Sequence, residues 1–105
     1  MDRDTAILKK ISSDIEFIID ATKDVSLEDF ESNELLASAI CFKFIQISEN
    51  VAKISEGYRY GNPEIPWGDI RGMRNRIVHD YGNVSLEVVY KTIKEDLPNI
   101  LELIK

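Results

Sequence analysis

Isoleucine and leucine recur at three- and four-residue steps through Ile7, Leu8, Ile11, Ile15, Ile18 and Ile19. That spacing is one face of a 3.6-residue period. It predicts a helix from about Asp4 to Thr22, with Lys9, Lys10, Asp14 and Asp20 on its wet side. Ser26-Leu27-Glu28-Asp29 reads as an N-cap followed by acidic first-turn residues, and predicts a short helical turn over Phe30. A second helix is expected from about Asn33 to Glu56. Its stripe of Leu36, Ile40, Phe44, Ile47, Val51 and Ile54 is widened by Ala37, Cys41, Ile45 and Ala52 toward half the circumference. So wide a stripe packs on more than one neighbour, either a third helix of the same chain or a second subunit. Gly57 is expected to end this helix in a left-handed backbone conformation.

Tyr58 to Ile65 reads as a connector, with Gly61, Asn62 and Pro63 as turn residues. Pro66, with its preset backbone angle, opens a third helix running from about Pro66 to His79. Gly82-Asn83 breaks the chain. Ser85 caps a fourth helix, and Val84 and Val89 are spaced as a hydrophobic staple. Val88, Ile93, Leu97, Ile100, Leu101 and Ile104 carry an apolar face to the C-terminus. Pro98 should kink or restart this helix, with Asp96 as a cap. With no strand signal, the expected fold is all-α, an antiparallel four-helix bundle with a kinked or split C-terminal helix. The 105 residues predict one domain, 1–105,. Bundles of this size often complete a modest core by oligomerising.

Composition changes this picture in two places. Hydrophobic residues at 44% and charged residues at 30% exclude a disordered chain,. The formal net charge of −6 makes the chain a poor general binder of phosphate backbones,. The charge is uneven, however. Residues 1–30 hold four Lys or Arg against eight Asp or Glu, whereas residues 69–79 set Arg71, Arg74 and Arg76 against Asp69. The single cysteine, Cys41, excludes an internal disulfide and fits a reducing cytoplasm,. The charged start Met1-Asp2-Arg3-Asp4 is neither a signal peptide nor an anchor, and no apolar run is expected to reach the ~20 residues that span a bilayer. The expected location is the cytoplasm, away from membranes.

The chemically loaded segment is Arg74-Asn75-Arg76-Ile77-Val78-His79-Asp80-Tyr81. On an ideal wheel at ~100° per residue, Trp67, Ile70, Met73, Ile77 and Val78 form the apolar arc of the third helix, and Arg74 falls inside it. Unpaired charge is rarely buried. Arg74 therefore either snorkels along the core edge into water or lines a cleft and binds an anion. Asn75 and His79 are four apart and share a face next to Arg71. His79 is the only histidine. It is either a dipole partner at a helix end or the best available proton-transfer group, since a free imidazole titrates near ~6.5. Tyr81 lies just beyond the helix, where a tyrosine commonly packs or anchors a hydrogen bond. Arg74 and His79 stand roughly 140° apart on the wheel. For them to meet, the helix must bend or end before His79, or two chains must face one groove across a two-fold axis.

Other chemistries lack their parts. One His and one Cys leave a zinc site dependent on scattered carboxylates, so no metal and no cofactor is implied,. No glycine-rich phosphate loop is present, and no serine sits in a nucleophile elbow. Glu49 and Lys53 read as a solvated i,i+4 ion pair.

Arg74-Asn75-x-x-x-His79-x-Tyr81 resembles the R-x4-H-x-Y pattern of HepT-like toxins in the HEPN superfamily. Pro63-Glu64-Ile65-Pro66-Trp67, Ile70-Arg71-Gly72-Met73-Arg74-Asn75 and Glu95-Asp96-Leu97-Pro98 resemble that family too, in the right order over most of the chain. The resemblance implies a helical bundle that dimerises with the motif at the subunit groove, and a metal-independent ribonuclease acting on RNA. It implies a minimal nucleotidyltransferase antitoxin as partner. By position, Arg74 and His79 would be the catalytic pair, with Asn75, Asp80 and Arg71 in support. Tyr81 would be the residue the partner modifies with AMP. A second reading keeps the groove as a non-catalytic module that binds a nucleotide or docks the nucleotidyltransferase. A third, an inert structural bundle, leaves Arg74 in the apolar arc without a purpose.

Overall fold

The computed structural model describes residues 2–79 and 84–104, with the backbone alone of residues 78 and 79. Asp2 opens α1 (Arg3–Thr22) by accepting the Thr5 N–H at 2.8 Å. The periodic face is the buried one: Ile7, Leu8, Ile11, Ile15 and Ile18 all enter the core. Thr22 ends the helix fully buried, and its hydroxyl is satisfied by the Ile18 carbonyl at 2.8 Å. Ser26 caps the short α2 (Leu27–Ser32), which drives Phe30 completely out of water. Asn33 closes α2 and opens α3 (Glu34–Ala52), its side chain accepting the Leu36 N–H at 3.0 Å.

The wide stripe of α3 finds its neighbours within the chain: α3 packs on both α1 and α5 (Trp67–His79), and touches α2. By length and composition alone α3 would suffice to cross a membrane, contrary to the expectation that no such run exists. Here it is the central core helix, with Ile40, Phe44, Ile47 and Val51 nearly inaccessible.

Two expectations are corrected between these helices. The second long helix stops at Ala52 rather than near Glu56, and a further short helix, α4 (Glu56–Gly61), occupies part of the expected connector. Gly57 lies inside α4, and no positive φ occurs among the described residues. Ser55 explains both. Its N–H and its hydroxyl donate to the Asp4 carboxylate at 3.0 and 2.6 Å, which diverts this backbone from the α3 ladder. The same hydroxyl accepts the Tyr58 N–H and starts α4. Asp4 thereby ties the start of α1 to the start of α4.

The turn into α5 is closed by Trp67, whose indole N–H donates to the Asn62 carbonyl at 3.1 Å and whose ring meets Tyr58 edge-on. The Pro66 carbonyl accepts the Ile70 N–H and begins the helix. Ser85 caps α6 (Leu86–Glu95), with Val89 buried and Val84 against the core as the staple spacing requires. The C-terminal helix is split as expected. Asp96 donates its N–H to Thr92 and accepts from Ile100 through its carbonyl, joining α6 to α7 (Leu97–Ile104), while Pro98 has no N–H to continue the ladder,. The whole is an all-helical bundle. The break expected at Gly82-Asn83 lies outside the described residues.

Candidate functional site

The site is set by how α5 divides its circumference. Met73 and Ile77 are buried, and Ile70 and Trp67 pack partly on the core, which turns this arc of α5 toward α3. Arg74 sits at the edge of the arc, at the seam of the two helices. Its Nε donates to Glu49 Oε1 across the seam at 2.7 Å, with the two side chains 39% and 50% exposed. Arg74 is thus neither in the core nor merely snorkelled into water. The pair expected within α3, Glu49 with Lys53, does not form, because Glu49 reaches the α5 guanidinium instead. A pair this exposed is worth only about 0–1 kcal/mol. Its main consequence is to fix the direction of the guanidinium.

One position before Glu49, the buried Ser48 donates its hydroxyl to the Ile70 carbonyl at 2.7 Å. Ile70 is one turn ahead of Arg74, so this bond pins the two helices at the level of the pair. Beside it a groove of about 470 Å³ opens between α3 and α5. Arg71, Arg74 and Asn75 line it together with Glu49, and Ala52, Gly68 and Gly72 form its small-residue floor. A Cβ added at either glycine would meet nothing within 4 Å among the described residues. The floor is therefore open to the close approach of a phosphate or a sugar.

Among the expected site residues, Arg71, Arg74 and Asn75 are brought together at one groove. Helix α5 runs through His79 without a break, so it does not end before that residue. On a regular helix, positions 74 and 79 remain roughly 140° apart. The His79 side chain, Asp80 and Tyr81 lie outside the described residues. Among the described residues no three His, Cys, Asp or Glu side chains are placed to hold a metal ion. The residues that sequence reasoning missed are Glu49, Ser48, Gly68 and Gly72. A hint existed for Glu49: an arginine inside an apolar arc calls for a carboxylate on the facing helix.

A second hollow, of about 500 Å³, lies on the other side of α5, toward α6 and α7. Its floor includes Ile15, Phe44 and Ile47, and its rim carries Asp69, Glu95 and Asp96 against Arg76 alone. Three carboxylates against one guanidinium repel a phosphodiester.

The family model described as Ribonuclease HepT-like matches residues 11–105. A protein of Thermococcus cleftensis named probable ribonuclease HepT is 32% identical, over 89% of this chain and 84% of its own length. A Methanocaldococcus jannaschii protein is 35% identical over 90% of this chain and 82% of its own. A Caldanaerobacter subterraneus subsp. tengcongensis protein is 30% identical over 93% and 88%. Both of these carry names that mark them as RNases in qualified form. No solved structure matches the chain.

Proposed function

The chain belongs to the ribonuclease HepT-like family of the HEPN superfamily, and from that premise we propose that it is a metal-independent endoribonuclease, the toxin of a toxin–antitoxin pair. The observation that carries this reading is Arg74, held at the rim of an open groove beside Arg71 and Asn75.

Cleaving RNA without a metal uses the substrate's own 2′-hydroxyl. The 2′-oxygen attacks phosphorus and loses its proton to a base. The bond to the 5′-oxygen breaks, and that oxygen takes a proton from an acid. The products are a 2′,3′-cyclic phosphate and a 5′-hydroxyl. Arg74 neutralises the charge that builds on the phosphate oxygens, and Arg71 along the groove meets a neighbouring phosphate. His79 serves the proton transfers, with Asn75 and Asp80 in support. One chain holds one histidine, whereas the reaction needs a base and an acid. A homodimer with both motifs at one groove supplies both, and removes the need for Arg74 and His79 to converge within one helix. In this account a cytoplasmic minimal nucleotidyltransferase adds AMP to Tyr81, and the added bulk and negative charge close the groove to RNA.

Growth of host cells expressing wild type, Arg74→Ala, His79→Ala or Tyr81→Phe tests the reading, with total RNA and intact protein mass recorded. Wild type should arrest growth and degrade RNA, and the first two variants should do neither. Co-expression with the nucleotidyltransferase should add mass in AMP steps to every form except Tyr81→Phe. A second reading, in which the groove binds a nucleotide or docks its partner without cutting, takes Arg74 as an anchor rather than a transition-state stabiliser, and the carboxylate already lying on Arg74 favours docking of the partner. Harmless expression of all four forms, with RNA intact, would select it.

A further inference from the structure

We infer that Glu49 is a positioning residue for the nuclease: it holds Arg74 by Nε so that the terminal nitrogens of the guanidinium remain available to the scissile phosphate. The inference rests on the ribonuclease reading above.

Three observations lead to it. Glu49 takes Arg74 through Nε at 2.7 Å, from a different helix and 25 positions away in sequence. A guanidinium has five N–H donors, so a bond at Nε leaves the four on the terminal nitrogens for another acceptor. Next, both partners are well exposed, and such pairs add little stability,. Immobilising a long, flexible side chain at a rim makes sense where that side chain must meet a ligand in one orientation. Finally, the support behind the pair is rigid. Buried Ser48 ties α3 to the Ile70 carbonyl of α5 at 2.7 Å, one turn from Arg74. The helix that carries the carboxylate is therefore fixed to the helix that carries the arginine.

The charge of Glu49 makes the inference testable by sign. A carboxylate beside a phosphate site weakens anion binding. Its removal should therefore tighten RNA binding while disordering the arginine. A residue that only stabilised the fold would do neither.

The experiment compares wild type, Glu49→Ala and Glu49→Gln on a single-stranded RNA oligonucleotide, with kcat, KM and melting temperature measured for each. Glu49→Ala should lose about tenfold in kcat with KM unchanged or lower and a melting temperature close to wild type. Glu49→Gln retains an oxygen that accepts from Nε, and should recover most of kcat. Wild-type kcat in Glu49→Ala would overturn the inference. So would a fall in kcat that comes with a raised KM and a lowered melting temperature. If wild-type protein leaves RNA intact, the nuclease reading falls by itself. Glu49 is then judged on the Arg74 Nε–H resonance and on affinity for a non-cleavable 2′-deoxy oligonucleotide. A resonance that moves to the solvent-averaged position in Glu49→Ala but not in Glu49→Gln, with tighter binding in Glu49→Ala, upholds the positioning role. An unmoved resonance and unchanged affinity overturn it.

Discussion

Helix α5 separates two hollows of nearly equal size, about 470 Å³ toward α3 and about 500 Å³ toward α6 and α7. Their chemistry is opposite. Among the described residues, the hollow toward α3 has Arg71 and Arg74 against one carboxylate, a floor of small residues and a hydrogen-bonded seam behind it. The hollow toward α6 and α7 is the larger, yet Asp69, Glu95 and Asp96 outnumber Arg76 on its rim, and its floor belongs to the hydrophobic core. Volume does not single out the proposed phosphate site; the sign of the charge and the small residues on the floor do. The same contrast shows how a chain of net charge −6 can still present a locally basic groove. Two of its thirteen Lys and Arg residues, Arg71 and Arg74, line the same groove.

This contrast can be broken most severely at the arginines. Arg74→Ala should lower kcat/KM for RNA cleavage by about 100-fold or more, the usual cost of removing a charge stabiliser of the transition state. Arg76→Ala, on the other side of the same helix, should leave kcat/KM within about twofold, because it lies outside the proposed groove,. Initial rates on a labelled oligonucleotide separate the two. At the core-facing wall the effect should be on stability alone. Met73→Ala removes a buried side chain and should cost about 2–4 kcal/mol in urea unfolding, while the folded fraction cleaves normally,.

Gly72→Ala should act in the reverse sense. Among the described residues its added Cβ would meet nothing within 4 Å, so the helix should gain about 0.5–1 kcal/mol,. Cleavage should nevertheless fall several-fold, as the methyl occupies the groove floor. A thermal melt and a rate on the same sample check both signs. The smallest effect should be far from either hollow, at Asp4. The Ser55 hydroxyl first, and then the Ser55 N–H, hold the Asp4 carboxyl below its ordinary value. Because the folded value is the lower one, the contribution is present above the unfolded value near ~3.9 and is lost as pH falls through the folded value. Melting temperatures of wild type and Asp4→Ala should differ slightly at neutral pH and converge in acid.

Much of the fold was legible because it rests on periodicity and caps. The stripe of α1, the Ser26 turn over Phe30, the Ser85 cap and the split at Pro98 all follow from residues within one turn of each other. The end of α3 was not legible, since it depends on Asp4, 51 positions from Ser55. A glycine at 57 gave a local signal for a left-handed stop, and a distant carboxylate overrode it. The site divided along the same line. Arg74, Asn75 and Arg71 announced themselves by an arginine in an apolar arc and by the spacing of the motif. Glu49 had an equally plausible local partner in Lys53, and only the packing of α3 on α5 shows that it bonds to Arg74. Gly68 and Gly72 gave no signal until the helix had a groove beside it.

The central claim is that the groove between α3 and α5 cuts RNA with Arg74 and without a metal. Its most direct test is incubation of a single-stranded RNA with purified wild type and Arg74→Ala in excess chelator, with the product ends identified by mass. The account predicts that wild type yields 2′,3′-cyclic phosphate and 5′-hydroxyl ends and that Arg74→Ala leaves the RNA whole. Equal cleavage by both proteins, or cleavage that stops when chelator is added, would contradict it.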